Sequence, residues 1–129
     1  MNLGTALVTG GASGMGLAIV ERLARDGFRV VMADRNGALA EKEAGALQAQ
    51  GLPVEHRVVD LTDEAATRAL ARSLPPLAAL VNNAGLFDER KFFDVGADDF
   101  RRAFDVNLLA VATLTQEAAR TMTCLLYTS

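Results

Sequence analysis

Gly10, Gly14 and Gly16 have the spacing of a phosphate-binding turn, within Val8-Thr9-Gly10-Gly11-Ala12-Ser13-Gly14-Met15-Gly16. Glycine has no Cβ, so the backbone there turns tightly and approaches a ligand closely. Before the turn, Thr5-Ala6-Leu7-Val8 reads as a buried strand. After it, Met15, Ile19 and Leu23, with Ala18 beside them, recur at helical spacing. A helix beginning there leaves its first amides unpaired at the positive end of its dipole. An anion docks at such an end, and the pyrophosphate of a dinucleotide suits a strand–turn–helix context. On the glycines alone, an ordinary strand-to-helix turn fits as well.

Further polar residues fall at the ends of apolar runs. Asp34 closes Phe28–Ala33, eighteen residues after Gly16, where a dinucleotide fold keeps an acceptor for ribose hydroxyls. Asp34-Arg35-Asn36-Gly37 is also turn-like, and both readings can hold together. Asp60 follows Val54–Val59 and, on position alone, is equally a strand-end aspartate. Asn82-Asn83-Ala84-Gly85 follows the apolar Leu77–Val81. Its amides can satisfy strand-end backbone groups while Ala84 and Gly85 leave space for a ligand, although a simple turn would look the same. Asn107 lies inside a helical segment, where asparagine is mildly unfavourable and asks for a reason, unless it sits on a wet face. His56, alone within its strand, reads as structural, and no metal site is expected.

These residues need a frame. The first helix is expected over Gly14–Arg25, stopping at Asp26-Gly27. Ala38–Gln50 reads as a scaffold helix interrupted only by Gly45, with Leu39, Glu43 and Leu47 along it, and Gly51-Leu52-Pro53 breaks it. Thr62 is placed to cap a third helix over Asp63–Ser73, which ends before Pro75-Pro76. The all-apolar Leu77–Val81 suits a parallel sheet covered on both faces. Leu86–Gly96 is irregular, and a long helix opens at Asp98-Asp99 with Phe100, Phe104, Leu108 and Val111 as its stripe. Strands alternating with helices imply an α/β doubly wound parallel sheet with right-handed crossovers, and the order expected of a dinucleotide-binding fold is 3-2-1-4.

Composition narrows the classes. The 129 residues amount to one domain, 50% hydrophobic and 22% charged, hence globular. A net charge of −3 without a basic cluster argues against nucleic acid. No apolar run has membrane-spanning length. Met1-Asn2-Leu3 leads directly into the first strand, so no signal peptide is expected. The single cysteine excludes a disulfide framework and a cysteine-built zinc site. The cytoplasm is the expected compartment.

The Thr-Gly-x-x-x-Gly-x-Gly form, Asp60, Asn-Asn-Ala-Gly and Asn107, in this order and spacing, resemble the short-chain dehydrogenase/reductase family from about Thr5 to about Met122. The resemblance implies a three-layer, Rossmann-like fold incomplete at its carboxyl end. It also implies an NAD(P)-dependent oxidoreductase moving hydride between nicotinamide and an alcohol or carbonyl substrate. In the family pattern the cofactor lies against Gly10, Ser13, Gly14, Met15 and Gly16, and Asp60 and the Leu61 amide meet the adenine. Asn83, Ala84 and Gly85 pack by the adenosine ribose, and Asn107 belongs to a catalytic tetrad in a locally distorted helix. NAD is expected rather than NADP, because Asp34 would repel a 2′-phosphate and Ser13 stands where NADP-preferring relatives often carry a basic residue. Arg35 is the residue that could turn toward such a phosphate.

The family's serine and its tyrosine with lysine four residues on are missing: the only tyrosine is Tyr127, and the lysines are Lys42 and Lys91. No turnover is therefore expected from these 129 residues, whereas the full-length protein is expected to be a homo-oligomeric enzyme. The closing Cys124–Ser129 is what TGT-CTC-TTA-TAC-ACA-TCT encodes, a string resembling a transposon adapter from sequencing libraries. The nucleotide-binding domain is accordingly placed at 1–123, with 124–129 set aside as a scar in which Cys124 and Tyr127 carry no function. A non-catalytic dinucleotide-binding module and a methyltransferase are the competing classes. Among enzymes, a 3-oxoacyl thioester reductase and a polyol or sugar dehydrogenase remain open.

Overall fold

A computed structural model describes the backbone of residues 1–128 and side chains through Met122; the side chains of Cys124 and Tyr127, and with them the reading of the closing hexapeptide, lie outside the described residues. The elements run β1 (Thr5–Thr9), α1 (Gly14–Asp26), β2 (Arg29–Asp34), α2 (Gly37–Ala49), β3 (Val54–Val58), α3 (Glu64–Arg72) and β4 (Leu77–Val81). A short 3-10 turn at Phe92–Asp94 precedes α4 (Ala97–Phe104), a π-helical turn (Asp105–Leu109) and α5 (Ala110–Thr128). The strands form one parallel sheet in the order β3-β2-β1-β4, the expected doubly wound arrangement.

Alternation along the central strands divides the core in two. Val8, Val30 and Met32 face α1 and α2, where Val20, Ala24, Ala40, Ala44 and Leu47 cover them. Leu7, Val31 and Ala33 face the other way, against Leu70 of α3 and Leu114 and Ala118 of α5. A side chain as fully buried as Leu7 or Leu114 contributes about 1.5–3 kcal/mol. Because every strand runs the same way, the carboxyl ends of β1, β2, β3 and β4 bring Thr9, Asp34, Asp60 and Asn82 to one edge. β4 lies at a margin of the sheet, and Ala78 on it is exposed, so this strand is less covered than its apolar sequence implies.

Two helix faces and one helix cap differ from expectation. In α1 the buried ridge is Gly16, Val20 and Ala24, while Met15 is 73% exposed and Ile19 and Leu23 pack at the margin. Gly16 must pass close to Gly10, and that approach sets the rotation of the helix. Asp63 rather than Thr62 caps α3: its Oδ1 accepts from the Ala66 amide at 3.0 Å. Thr62 is held instead by Asp60, to which its hydroxyl donates at 2.7 Å. In the last helical segment, Phe100, Phe104 and Leu108 are 47%, 64% and 58% exposed, and the buried line is Val106, Ala110, Leu114 and Ala118. Phe100 and Phe104 are already exposed on α4, ahead of the π turn, and one extra residue in that turn rotates the helix beyond it by about 100° relative to α4.

α3 and α5 are also joined by charge. Glu117 is 6% exposed, and its carboxylate accepts from Arg68 Nη1 at 3.0 Å and from Arg72 Nη2 at 3.0 Å. Hydrogen bonds from Arg72, then from Arg68, hold the Glu117 carboxyl below the usual 4.5. A depressed folded value means stabilisation present above the unfolded value and lost as pH falls through the folded one. The protein should therefore melt at a higher temperature than Glu117→Gln at pH 7, and the gap should close on acidification below about 4.5. Parallel melting curves across pH 3–7, with a constant gap, would contradict this role.

Candidate functional site at the carboxyl edge of the sheet

The glycine turn is shaped by both conformation and space. Gly10 and Gly14 have φ of 62° and 55°, the left-handed region that L side chains rarely adopt. Gly16 is required for another reason: a Cβ there would lie 2.0 Å from the Gly10 carbonyl oxygen and 2.5 Å from Asn83 Nδ2. α1 begins after Ser13, which is extended at φ −151° and makes no side-chain cap. The first-turn amides of α1 therefore have neither an intrahelical acceptor nor the Ser13 hydroxyl as a cap.

Thr9 ties this turn to β4. Its Oγ1 accepts from the backbone amides of Asn83 and Ala84, each at 3.1 Å. In return Asn83 Nδ2 donates to the carbonyls of Thr9 and Gly10, both at 3.1 Å. One asparagine of the Asn-Asn-Ala-Gly run thus satisfies strand-end backbone groups. Asn82 turns toward α5 instead and donates to Thr115 Oγ1 at 3.3 Å.

The acidic residues are engaged as well. Asp34 Oδ2 accepts from the Ala12 amide at 3.1 Å and Oδ1 from the Asn36 amide at 3.0 Å. The turn reading of Asp34 is therefore realised, and each oxygen keeps a lone pair for another donor. Asp60 Oδ1 accepts from the Thr62 amide and hydroxyl, and these bonds hold its carboxyl below the usual range, with the charges of Arg102 and Arg35 adding to the effect.

Asn107 lies in the π turn, so the sequence position that asks for a reason coincides with a distorted helix. Its Nδ2 donates to the Leu86 carbonyl at 2.9 Å, and its Oδ1 accepts from the Leu86 amide at 2.7 Å. This two-point grip fixes the chain leaving Gly85.

A cleft of about 520 Å³ opens over these groups. It gathers Gly10, Ser13, Met15 and Gly16 from the turn, Asp34 from the end of β2 with Arg35 just beyond it, and Asp60 and Leu61 beyond β3. Asn83, Ala84 and Gly85 complete the predicted set, while Gly14 shapes the turn from outside the lining and Asn107 acts through Leu86. Sequence reasoning missed Thr62, Leu86, Arg102 and Val106 in the lining, and Thr9 as the hub beneath it. The Thr-Gly pair at the start of the glycine run was the available signal for Thr9; none marked Arg102. A groove of similar size, about 510 Å³, lies at the opposite end of the strands by Arg29, Pro53 and Arg57, without a glycine turn or an open helix end. In open parallel sheets, ligands bind at the carboxyl ends.

Among the described residues, no group of three or more histidine, cysteine or acidic side chains is placed to hold a metal ion. No helix among them is long and apolar enough to cross a membrane.

Comparison with known proteins gives a consistent picture. The family model described as short chain dehydrogenase matches residues 4–124. Gluconate 5-dehydrogenase of Gluconobacter oxydans (strain 621H) is 33% identical over 121 residues, covering 91% of this chain and 47% of that protein. Galactitol 2-dehydrogenase of Rhizobium johnstonii is 40% identical over 122 residues, again covering 91% and 47%. A short chain dehydrogenase from Burkholderia cenocepacia J2315, solved in complex with NADP, has a TM-score of 0.84 at 34% identity, covering 92% of this chain and 51% of that one. The chain spans about half the length of the curated relatives it matches.

Proposed function

This chain belongs to the short-chain dehydrogenase family, and on that premise we propose that it forms the nucleotide-binding part of an oxidoreductase. The reaction is hydride transfer between a nicotinamide dinucleotide and an alcohol or carbonyl. One observation carries this reading: a cradle that a side chain on Gly16 would fill, with the open amino end of α1, shares a cleft with Asp34 and Asp60. The nicotinamide, when bound, supplies the hydride acceptor or donor.

The chain's own residues hold that cofactor. Amides of Gly14, Met15 and Gly16 face the pyrophosphate, with Gly10 and Ser13 beside it. The remaining lone pairs of Asp34 accept from ribose hydroxyls, and Asp60 with the Leu61 amide takes the edge of the adenine. Ala84 and Gly85 leave room for the ribose. Asn107 holds Leu86 in place, and its π turn leaves main-chain groups available to a water in a proton relay. In this reading the serine and the tyrosine–lysine pair belong to the portion of the longer relatives that this chain does not span. The relatives named for gluconate and galactitol support a polyol or sugar substrate, and a solved structure described as a "putative betaketoacyl-ACP reductase", 34% identical, supports a 3-oxoacyl thioester. A homo-oligomeric cytoplasmic enzyme completes the proposal.

Reading the gene beyond the codon for Thr123 tests the assignment. A strand ending in serine, then tyrosine with lysine four residues on, is expected. That spacing places both side chains on one helix face, where the ammonium lowers the phenol's pKa. Phenylalanine in place of that tyrosine, or no lysine, would replace hydride transfer with a non-catalytic binding module.

NAD is the proposed cofactor. A 2′-phosphate near Asp34 sets like charges close together: at about 4 Å and an effective dielectric near 20 the repulsion is about 4 kcal/mol before further screening. Even a third of this is about tenfold in affinity. The protein should bind NADH at least about tenfold more tightly than NADPH, and Asp34→Ser should close that ratio. The ratio is the proper readout, because Asp34 also holds the amides of Ala12 and Asn36. Equal affinities in the parent protein would overturn the assignment, with Arg35 as the side chain answerable for it.

A further inference from the structure

Arg102 projects from α4 into the same cleft as Asp60, Leu61 and Thr62, at the end assigned above to the adenine. Val106, one turn further along the chain, is buried and lines the cleft as well. Among the described residues the Arg102 side chain makes no hydrogen bond and no ion pair, although acidic side chains are abundant nearby. Arg101 beside it pairs with Asp98 at 2.7 Å, and Arg90 is held by Asp88 and Asp99. Arg102 is thus a guanidinium left without a partner on a site built for a nucleotide. Its charge reaches Asp60 across the cleft, adding to the bonds from Thr62 that keep that carboxylate ionised.

We propose that Arg102 lays its guanidinium plane against the face of the adenine whose edge Asp60 and the Leu61 amide hold, making it a binding residue for the cofactor. This rests on the dinucleotide reading above. The chemistry suits arginine: its planar, weakly hydrated group stacks on aromatic rings and gains cation–π attraction, which an ammonium on a flexible stem matches poorly. Val106 supplies an apolar floor, so the purine lies in a slot with one hydrogen-bonding edge and one cationic face. Together with Arg35, the guanidinium also balances the charges of Asp34 and Asp60 at that end of the cleft.

The experiment is equilibrium titration of the intact protein with NADH and with ADP-ribose, which share the adenine, and with NADPH as the arm that reads a phosphate contact. Arg102→Ala should raise both dissociation constants by a common factor, about five- to thirtyfold for a largely desolvated stack. Arg102→Lys should recover less than half of that loss on a logarithmic scale. Unchanged affinities in Arg102→Ala overturn the proposal while leaving the dinucleotide reading intact. Full rescue by lysine overturns stacking in favour of simple charge. A loss confined to NADPH overturns it in favour of a phosphate contact. A parent protein that binds neither ligand overturns the dinucleotide reading, and this proposal with it.

Discussion

Gly16→Ala abolishes dinucleotide binding and weakens the fold, whereas Gly14→Ala costs far less: this is the expected result of placing one methyl group at either end of the same turn. At Gly16 the new Cβ would stand 2.0 Å from the Gly10 carbonyl oxygen and 2.5 Å from Asn83 Nδ2. Neither atom can step aside cheaply. The Gly10 carbonyl accepts from Asn83 Nδ2, and the same amide bonds Thr9, so relief means sliding α1 away from β1. Overpacking of this kind costs about 1–3 kcal/mol, and each buried polar group left unpaired adds about as much again. The open helix end also shifts off the ligand, and a loss of about 3 kcal/mol is more than a hundredfold in affinity. At Gly14 there is nothing within 4 Å of a new Cβ, and the cost is the left-handed φ of 55° alone, about 1–2 kcal/mol. Titration with NADH and thermal melts of both variants check the ranking. Comparable losses at the two positions would refute it.

Thr9→Val should be the second most damaging change, although it keeps the shape of the side chain. Thr9 is 2% exposed, and its hydroxyl is the acceptor for two backbone amides, those of Asn83 and Ala84. Valine leaves both without a partner, at about 1–3 kcal/mol each. Thr9→Ser keeps the acceptor and gives up one methyl, about 1 kcal/mol. Denaturant unfolding should therefore rank parent, serine and valine in that order. Cofactor affinity should move in parallel, because the Asn83–Gly85 wall of the cleft hangs from these bonds. Valine proving as stable as serine would remove Thr9 from the role of hub.

The divided character of these two residues reflects what a sequence can encode locally. Strand and helix positions and the glycine turn were legible in the residues, and the sheet order followed from the family resemblance. The former depend on periodicity over a few positions and on backbone conformations that only certain residues adopt. Asp34 and Asn107 were legible for a related reason: one ends a strand at a telling distance from the glycines, and the other is out of place in a helix. The structure then gave each a specific contact, Asp34 with the Ala12 amide and Asn107 with Leu86.

Tertiary structure decided what depends on rotation and on long separations. The inward face of α1 is set by the approach of Gly16 to Gly10, so the visible stripe of Met15, Ile19 and Leu23 ended one residue out of phase. The π turn at Asp105–Leu109 breaks the phase between α4 and α5, so the spacing of Phe100 and Phe104, themselves exposed ahead of it, does not carry over to the buried line of Ala110, Leu114 and Ala118. The bond from the Asn83 amide to Thr9 spans 74 residues, the Glu117–Arg68 pair spans 49, and Arg102 reaches a cleft built from all four strand ends. Residue type permits such meetings, but the chain must be folded before the partners share a surface, since no spacing along one element relates them.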